Sequence, residues 1–142
     1  MKKVLSVMLL GLVLSFAATA QKLDAGKVPS PVKKSFTKQF PGITPKWELE
    51  KGNYEAGFKK DGQTMSALFD PNGTMTESEV DIKVGDLSPV VLAYVKDHYK
   101  GASIKEAAKI TKANGEVNYE AEVNGTDVIF DAKGKFLREV KD

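Results

Sequence analysis

The sequence predicts an α+β protein in which two tandem α-β-β-β-β repeats form an antiparallel sheet with both helices packed on one face. Three observations predict this fold: an internal repeat, an amphipathic helix opening each copy, and alternating strands separated by short glycine turns. Self-similarity at a fixed offset is typical of a duplicated structural unit. The matched apolar and glycine positions are Val28, Val32, Phe36, Phe40 and Gly42 against Leu87, Val91, Val95, Tyr99 and Gly101.

The first 20 residues have the pattern of a secretory signal. Lys2 and Lys3 precede an apolar stretch over 4–16, and Ala18-Thr19-Ala20 provides small residues for cleavage. We therefore expect a signal peptide over 1–20, a first repeat over 21–84 and a second over 85–142. The alternative is an uncleaved anchor, although the stretch is shorter than the roughly 20 apolar residues that a membrane span needs.

Each predicted helix carries apolar residues at a spacing of four, which places them on one stripe. A serine before a proline is typical of a helix start, so we expect Ser30 to cap the first helix. Asp86 or Ser88 is expected to cap the second helix. Glycines at 42 and 101 are expected to end the two helices.

Alternating residues and glycine turns predict four strands after each helix. Their approximate ranges are 47–50, 54–58, 64–69, 74–82, 103–112, 117–124, 126–131 and 135–141. The short turns make consecutive strands antiparallel. One repeat alone is small enough to be marginally stable, which favours a joint sheet with one face left open for binding.

Charge and composition exclude several classes of function. Cleavage after Ala20 would leave 19 basic and 19 acidic residues, a balance that argues against nucleic acid and anionic lipid as partners. The chain has no cysteine, which excludes disulfides and thiolate chemistry. His98 is the single histidine and lies near a predicted helix end, where a structural role is expected.

One turn resembles part of a calcium loop, with Asp70, Asn72 and either Glu77 or Glu79 as oxygen ligands. The repeat argues against a metal, because Lys133 stands in the second copy where Asn72 stands in the first. We interpret the segment as a turn. We predict no metal, no cofactor and no enzyme activity.

A set of glutamates alternates with apolar residues in the predicted strands. Alternation places them on the face away from the helices, and the apolar set with Trp47 on the helix side. We expect the glutamates to be exposed, either as a solvated face or as a partner-binding face. The candidate partner-binding residues are Glu48, Glu50, Glu55, Glu120 and Glu122.

The chain resembles the PepSY-like family of exported bacterial proteins, also described as β-lactamase-inhibitor-like. The resemblance is carried by Phe40-Pro41-Gly42, Trp47, Tyr54-Glu55-Ala56-Gly57-Phe58, Gly62 and Phe69-Asp70-Pro71-Asn72-Gly73. The second copy keeps Tyr99, Gly101, Tyr119-Glu120-Ala121, Gly125 and Phe130-Asp131-Ala132-Lys133-Gly134, but Ile104 lies near the place of the tryptophan. The resemblance implies the fold and, since fold does not imply function, no particular activity.

Together these features predict an exported, non-catalytic binding module that inhibits or escorts another envelope or secreted protein. The expected location is the periplasm or the outside of the cell, without stable membrane insertion after signal cleavage. The alternative function is a small-molecule or lipid carrier, which would need an apolar cavity.

Overall fold

The computed structural model describes residues 21–141, so the predicted signal over 1–20 lies outside the described residues. The described part of the chain forms nine strands and two α-helices, each helix preceded by a short 3₁₀ turn. The helices are α1 (Ser30–Gln39) and α2 (Pro89–His98). The strands are β1 (Gln21–Leu23), β2 (Lys46–Glu50), β3 (Asn53–Lys60), β4 (Gln63–Phe69), β5 (Met75–Ile82), β6 (Ile104–Lys112), β7 (Val117–Val123), β8 (Thr126–Asp131) and β9 (Phe136–Lys141).

The strands form one antiparallel sheet in which each strand pairs with the next along the chain, from β1 to β9. The predicted α+β class and antiparallel sheet are confirmed, and all eight predicted strands are present. β1 was not predicted; it extends the sheet by pairing with β2, with Leu23 opposite Trp47. The division of the chain into two tandem repeats stays a prediction.

Both helices pack on the same face of the sheet, which we call the helix-covered face. The apolar stripe of α1 lies on β2 to β4, where Phe36 contacts Trp47 and Phe69. The stripe of α2, with Val91 and Val95, lies on β6 to β8. Strand register places both sets of buried residues on one side, as predicted from the alternation.

The turn between β4 and β5 is fixed by its own side chain and by α1. The Asp70 carboxylate accepts hydrogen bonds from the backbone N–H groups of Asn72 and Thr74, at 2.9 and 3.0 Å. Gly73 has a φ of +89°, and a Cβ there would lie 2.6 Å from the carbonyl oxygen of Pro31. The segment that resembled a calcium loop therefore serves as a turn seated against the start of a helix.

The two helices start differently. Ser88 is the N-cap of α2, and its hydroxyl accepts a hydrogen bond from the Val91 N–H at 3.3 Å. The expected cap by Ser30 is wrong, because α1 begins at Ser30 and its N-cap is Pro29, which has no side-chain acceptor. The reason is visible in the repeat offset, which aligns Pro29, not Ser30, with Ser88.

Candidate functional site

The face opposite the helices, which we call the carboxylate face, carries the predicted glutamates. Glu48 on β2 lies opposite Glu55 on β3, and the residues beside them, Trp47 and Ala56, are paired on the other face. The ring centres of Trp47 and Phe36 are 5.6 Å apart on that helix-covered face. Glu122 on β7 lies opposite Asp127 on β8. The predicted sides of the sheet are therefore confirmed for the tryptophan and for the glutamates.

The predicted exposure of these glutamates is wrong. Glu50, Glu55, Glu120 and Glu122 are buried, with Glu55 and Glu122 each only 2% exposed, and Glu48 is half-buried. Alternation along a strand specifies which face a side chain occupies, but the shape of the sheet decides how much water reaches that face.

Curvature of the sheet explains this burial. A cavity of about 280 Å³ on the carboxylate face is lined by residues from every strand between β2 and β9. Seven strand spacings would separate β2 from β9 by roughly 33 Å in a flat sheet. The sheet must therefore curl around the carboxylate face, although β2 and β9 are not hydrogen-bonded neighbours in the sheet that residues 21–141 form.

The cavity combines carboxylates with an apolar floor, and we call it the acidic groove. Its carboxylates are Glu50 from β2, Glu77 and Glu79 from β5, and Glu120 from β7. Its apolar residues are Leu68, Ile110, Ile129 and Val140. Lys51 and the exposed Arg138 of β9 also line it.

Glu55 is a buried carboxyl group whose surroundings strongly favour its protonated form. Burial, followed by the charges of Glu50 and Glu48, raises the pKa of Glu55 to about 9. Neither oxygen of Glu55 accepts a hydrogen bond from an N–H or hydroxyl group. At neutral pH this side chain is therefore a neutral acid.

Glu79 and Glu120 form the interior of the acidic groove. Burial raises the pKa of Glu79 well above its usual range, and the Glu120 carboxyl is the strongest neighbouring charge in the same direction. Burial also raises the pKa of Glu120, with Asp127 as the next cause. The charges acting most on these two groups belong to other carboxylates, so the interior of the groove resists ionisation.

At the edges of the groove, nearby cations partly offset the effect of burial on the carboxyl groups. Burial raises the pKa of Glu77, while Lys112 and Arg138 oppose that effect. Burial likewise raises the pKa of Glu50, and Lys51 opposes it. The groove thus has an acidic interior between edges at which positive charge is already present.

The structure brings together only some of the predicted binding residues. Glu50 and Glu120 share the acidic groove although they lie on β2 and β7. Glu48 and Glu55 line a second cavity of about 560 Å³ beside β1, which also contains Trp47. Glu122 lines neither of these cavities.

The sequence analysis missed the contribution of β5 to the site. Glu77, Glu79 and Asp81 alternate along this strand and all face the carboxylate side, as their register with β6 shows. Burial, followed by the charge of Glu106, raises the pKa of Asp81 to about 7. Their alternation was visible in the predicted strand 74–82 and would have placed them beside the other glutamates.

His98 has a structural environment at the end of α2. Its ring stacks on Tyr94 with the centroids 3.8 Å apart, and Nδ1 lies 2.9 Å from the Tyr94 carbonyl oxygen. Both contacts are made within one helix turn. The histidine therefore lies on the helix-covered side, away from the acidic groove.

The fold and the sequence together place the chain in a family. Residues 52–138 match the family model described as β-lactamase-inhibitor-like, PepSY-like. This match spans more than half of the chain, so the protein belongs to the PepSY-like family, as the sequence resemblance implied. No curated protein matches the sequence.

Solved structures from Bacteroides species share the fold. A Bacteroides eggerthii protein considered to be periplasmic is 18% identical, with a TM-score of 0.70, covering 80% of this chain and 88% of its own. A DUF2874 family protein from Bacteroides uniformis is also 18% identical, with a TM-score of 0.70 and coverages of 78% and 87%. A BLIP-like protein from Bacteroides fragilis is 24% identical, with a TM-score of 0.61 and coverages of 78% and 84%. Within residues 21–141, no helix is long and apolar enough to cross a membrane.

Proposed function

We propose that this protein is an exported, non-catalytic module that binds another envelope or secreted protein through its carboxylate face. It acts in the periplasm or outside the cell after loss of residues 1–20. The family assignment and the signal-like N-terminus support export. The predicted residues Glu48, Glu50, Glu55, Glu120 and Glu122 belong to the binding face in this proposal.

The single observation that carries the proposal is the difference between the two faces of the sheet. α1 and α2 pack on one face, whereas the other curls into a groove lined by carboxylates and apolar side chains. Concave surfaces that combine apolar area with a few convergent polar groups are typical of binding sites. The partner is inhibited or escorted when its surface occupies this groove.

Site-specific photo-crosslinking in the native host tests the proposal. A photoreactive residue is placed at Arg138, which is exposed at the groove, or at Lys38, which is exposed on α1. We expect a discrete crosslinked protein from position 138 and none from position 38. Equal crosslinking from both positions, or none from position 138, contradicts a binding site on the carboxylate face.

The second candidate function, a small-molecule or lipid carrier, is favoured by the cavity beside β1. Its volume of about 560 Å³ lies within the range of about 300–1,000 Å³ that is typical of ligand pockets, and Leu23, Pro45 and Trp47 contribute apolar surface. Charged residues line it as well, which is unfavourable for an acyl chain. Binding of an apolar dye that Trp47 fluorescence reports, displaced by a fatty acid, would favour the carrier.

A further inference from the structure

The interior of the acidic groove is formed by the acidic side chains Glu79 and Glu120, which burial keeps protonated in the free protein. The charges acting most on Glu79 and Glu120 belong to other carboxyl groups. Arg138 and Lys112 act instead on Glu77, at the edge of the groove. The interior therefore offers acceptors to a positively charged group that the protein itself does not supply.

Glu79 independently supports a ligand site in the acidic groove. Its side chain is only 2% exposed, lines the groove, and has one carboxyl oxygen that is buried without a hydrogen-bond partner. Glu50 is 5% exposed and has a second such oxygen in the same cavity. A buried acceptor without a donor costs roughly 1–3 kcal/mol, so a ligand carrying donors would recover that free energy.

Resting on the proposed function, we propose that the acidic groove receives a lysine side chain from the partner protein. An ammonium group has three donors and no acceptor, which matches buried carboxyl oxygens that lack a donor. The apolar stem of lysine would lie along Leu68, Ile110 and Ile129 on the groove floor. A cavity of about 280 Å³ suits one long side chain better than a drug-sized ligand.

A metal ion is a weaker occupant than an ammonium group. Among residues 21–141, no group of three or more histidine, cysteine, aspartate or glutamate side chains has an arrangement that could hold a metal ion. Calcium takes six to eight oxygen ligands at 2.3–2.6 Å, and therefore needs closely converging oxygens. An ammonium group is less demanding, because one or two carboxyl oxygens can accept from it while water accepts from its remaining N–H groups.

Lysine binding in the acidic groove is coupled to proton release. The interior carboxyl groups, Glu79 and Glu120, hold protons in the free protein because burial raises their pKa values. An entering ammonium favours the ionised form, and the displaced protons pass to solvent. The carboxylate side of the surrounding strands carries both acidic and basic groups besides Glu79 itself. They are Lys22, Lys46, Glu48, Glu50, Glu55, Lys59, Glu77, Asp81, Glu106, Lys112, Glu120, Glu122, Asp127, Asp131 and Arg138, and Lys51 also lines the groove.

Calorimetric titration with an N-acetylated, C-amidated tetralysine peptide tests the inference. The exported chain purified from its host is titrated at pH 6.5 and at pH 8.5. Each proton released should tighten binding by about tenfold per pH unit while the displaced group is still protonated. Two buffers of different ionisation enthalpy should give different observed heats. If the carboxylates were already ionised at pH 6.5, the affinity for the peptide would be nearly constant from pH 6.5 to pH 8.5, which would contradict the inference.

Matched variants locate the site. Glu79→Gln and Glu120→Gln retain shape and are expected to weaken peptide binding at pH 8.5 by at least about fivefold and to reduce its pH dependence. Asp97→Asn, on the exposed surface of α2, should leave binding unchanged. Thermal melting shows whether each Gln variant is folded. If one variant fails to fold, the other still tests the inference. Affinity that is independent of pH, or unchanged in a folded Gln variant, overturns the inference.

Chemical acetylation of lysines in the envelope extract separates this inference from the proposed function. Acetylation should abolish the crosslink from position 138. A crosslink that survives acetylation would overturn the lysine inference and leave the binding face in place. Absence of any crosslink from position 138 before acetylation would overturn both.

Discussion

Both faces of the sheet carry buried side chains, but these are buried by different means and have opposite chemistry. Trp47 is covered by α1 and surrounded by aromatic rings, among them Phe36 and Phe69. Glu55 lies on the neighbouring strand β3, beside the residue that pairs with Trp47, and points to the carboxylate face. It is as well buried as the apolar core although both helices lie on the other side. Sheet curvature alone can therefore remove a polar face from water and create a groove of neutral acids.

The largest expected effect is on the helix-covered face. Trp47→Ala should lower the free energy of unfolding by about 3–5 kcal/mol, because it removes a buried indole and leaves a cavity between α1 and the sheet. Chemical denaturation of the exported chain measures it. Val90→Ala, at a side chain 56% exposed, is the control and should change stability by less than about 0.5 kcal/mol. An unchanged free energy of unfolding in Trp47→Ala would mean that the aromatic cluster between α1 and the sheet does not stabilise the fold.

The turn beneath α1 should give the next largest effect. Gly73→Ala places a Cβ 2.6 Å from the Pro31 carbonyl oxygen and forces a left-handed φ of +89° on alanine. The expected loss is about 2–3 kcal/mol, from backbone strain and displacement of the helix start. Gly52→Ala also has a positive φ, +81°, but meets open space. The difference between the two variants in a denaturant titration isolates the contact with α1, and equal losses would contradict it.

The carboxylate face should make the stability of the protein depend on pH. The folded pKa of Glu55 is raised to about 9 from the ordinary value of 4.5, so between these values the folded chain holds a proton that the unfolded chain has lost. This contribution to stability is complete below about pH 4.5 and declines as pH rises towards 9. We expect the melting temperature to fall by at least about 5 °C between pH 5 and pH 9.

Glu55→Gln should remove part of that pH dependence. Glutamine has the shape of the protonated acid, so the variant should melt close to the parent protein at pH 5 and above it at pH 9. Asp97→Asn, exposed on α2, should melt in parallel with the parent protein at every pH. A melting temperature that rises with pH would show that the carboxylates of this face are ionised and solvated.

Much of the fold could be predicted because the relevant signals are local. Apolar spacing of four located the helices, and alternation assigned Trp47 and Glu55 to opposite faces. β1 was missed because three residues are too few to show an alternation. Its place beside β2 depends on the long-range pairing of Leu23 with Trp47.

The burial of the glutamates could not be read from alternation, since curvature is a property of the whole sheet. Register shifts occur at Leu68/Phe69 in β4, between Ile104 and Glu106 in β6, and at Ile129/Phe130 in β8. Such irregularities bend strands and increase twist. An alternating sequence does not show where these register shifts occur. A solvated face and a buried groove therefore have the same sequence pattern.

The smallest expected effect compares the starts of the two helices. Both N-cap carbonyls accept the first helical hydrogen bond at 3.1 Å, Pro29 from Lys33 and Ser88 from Leu92. Only Ser88 adds a side-chain acceptor, so Ser88→Ala should cost about 1 kcal/mol. Ser30→Ala should change stability by less than about 0.5 kcal/mol, because Ser30 lies inside α1 and caps nothing. Denaturation of the two serine variants side by side measures the difference, and equal losses would show that the serine before each proline has the same role in both helices.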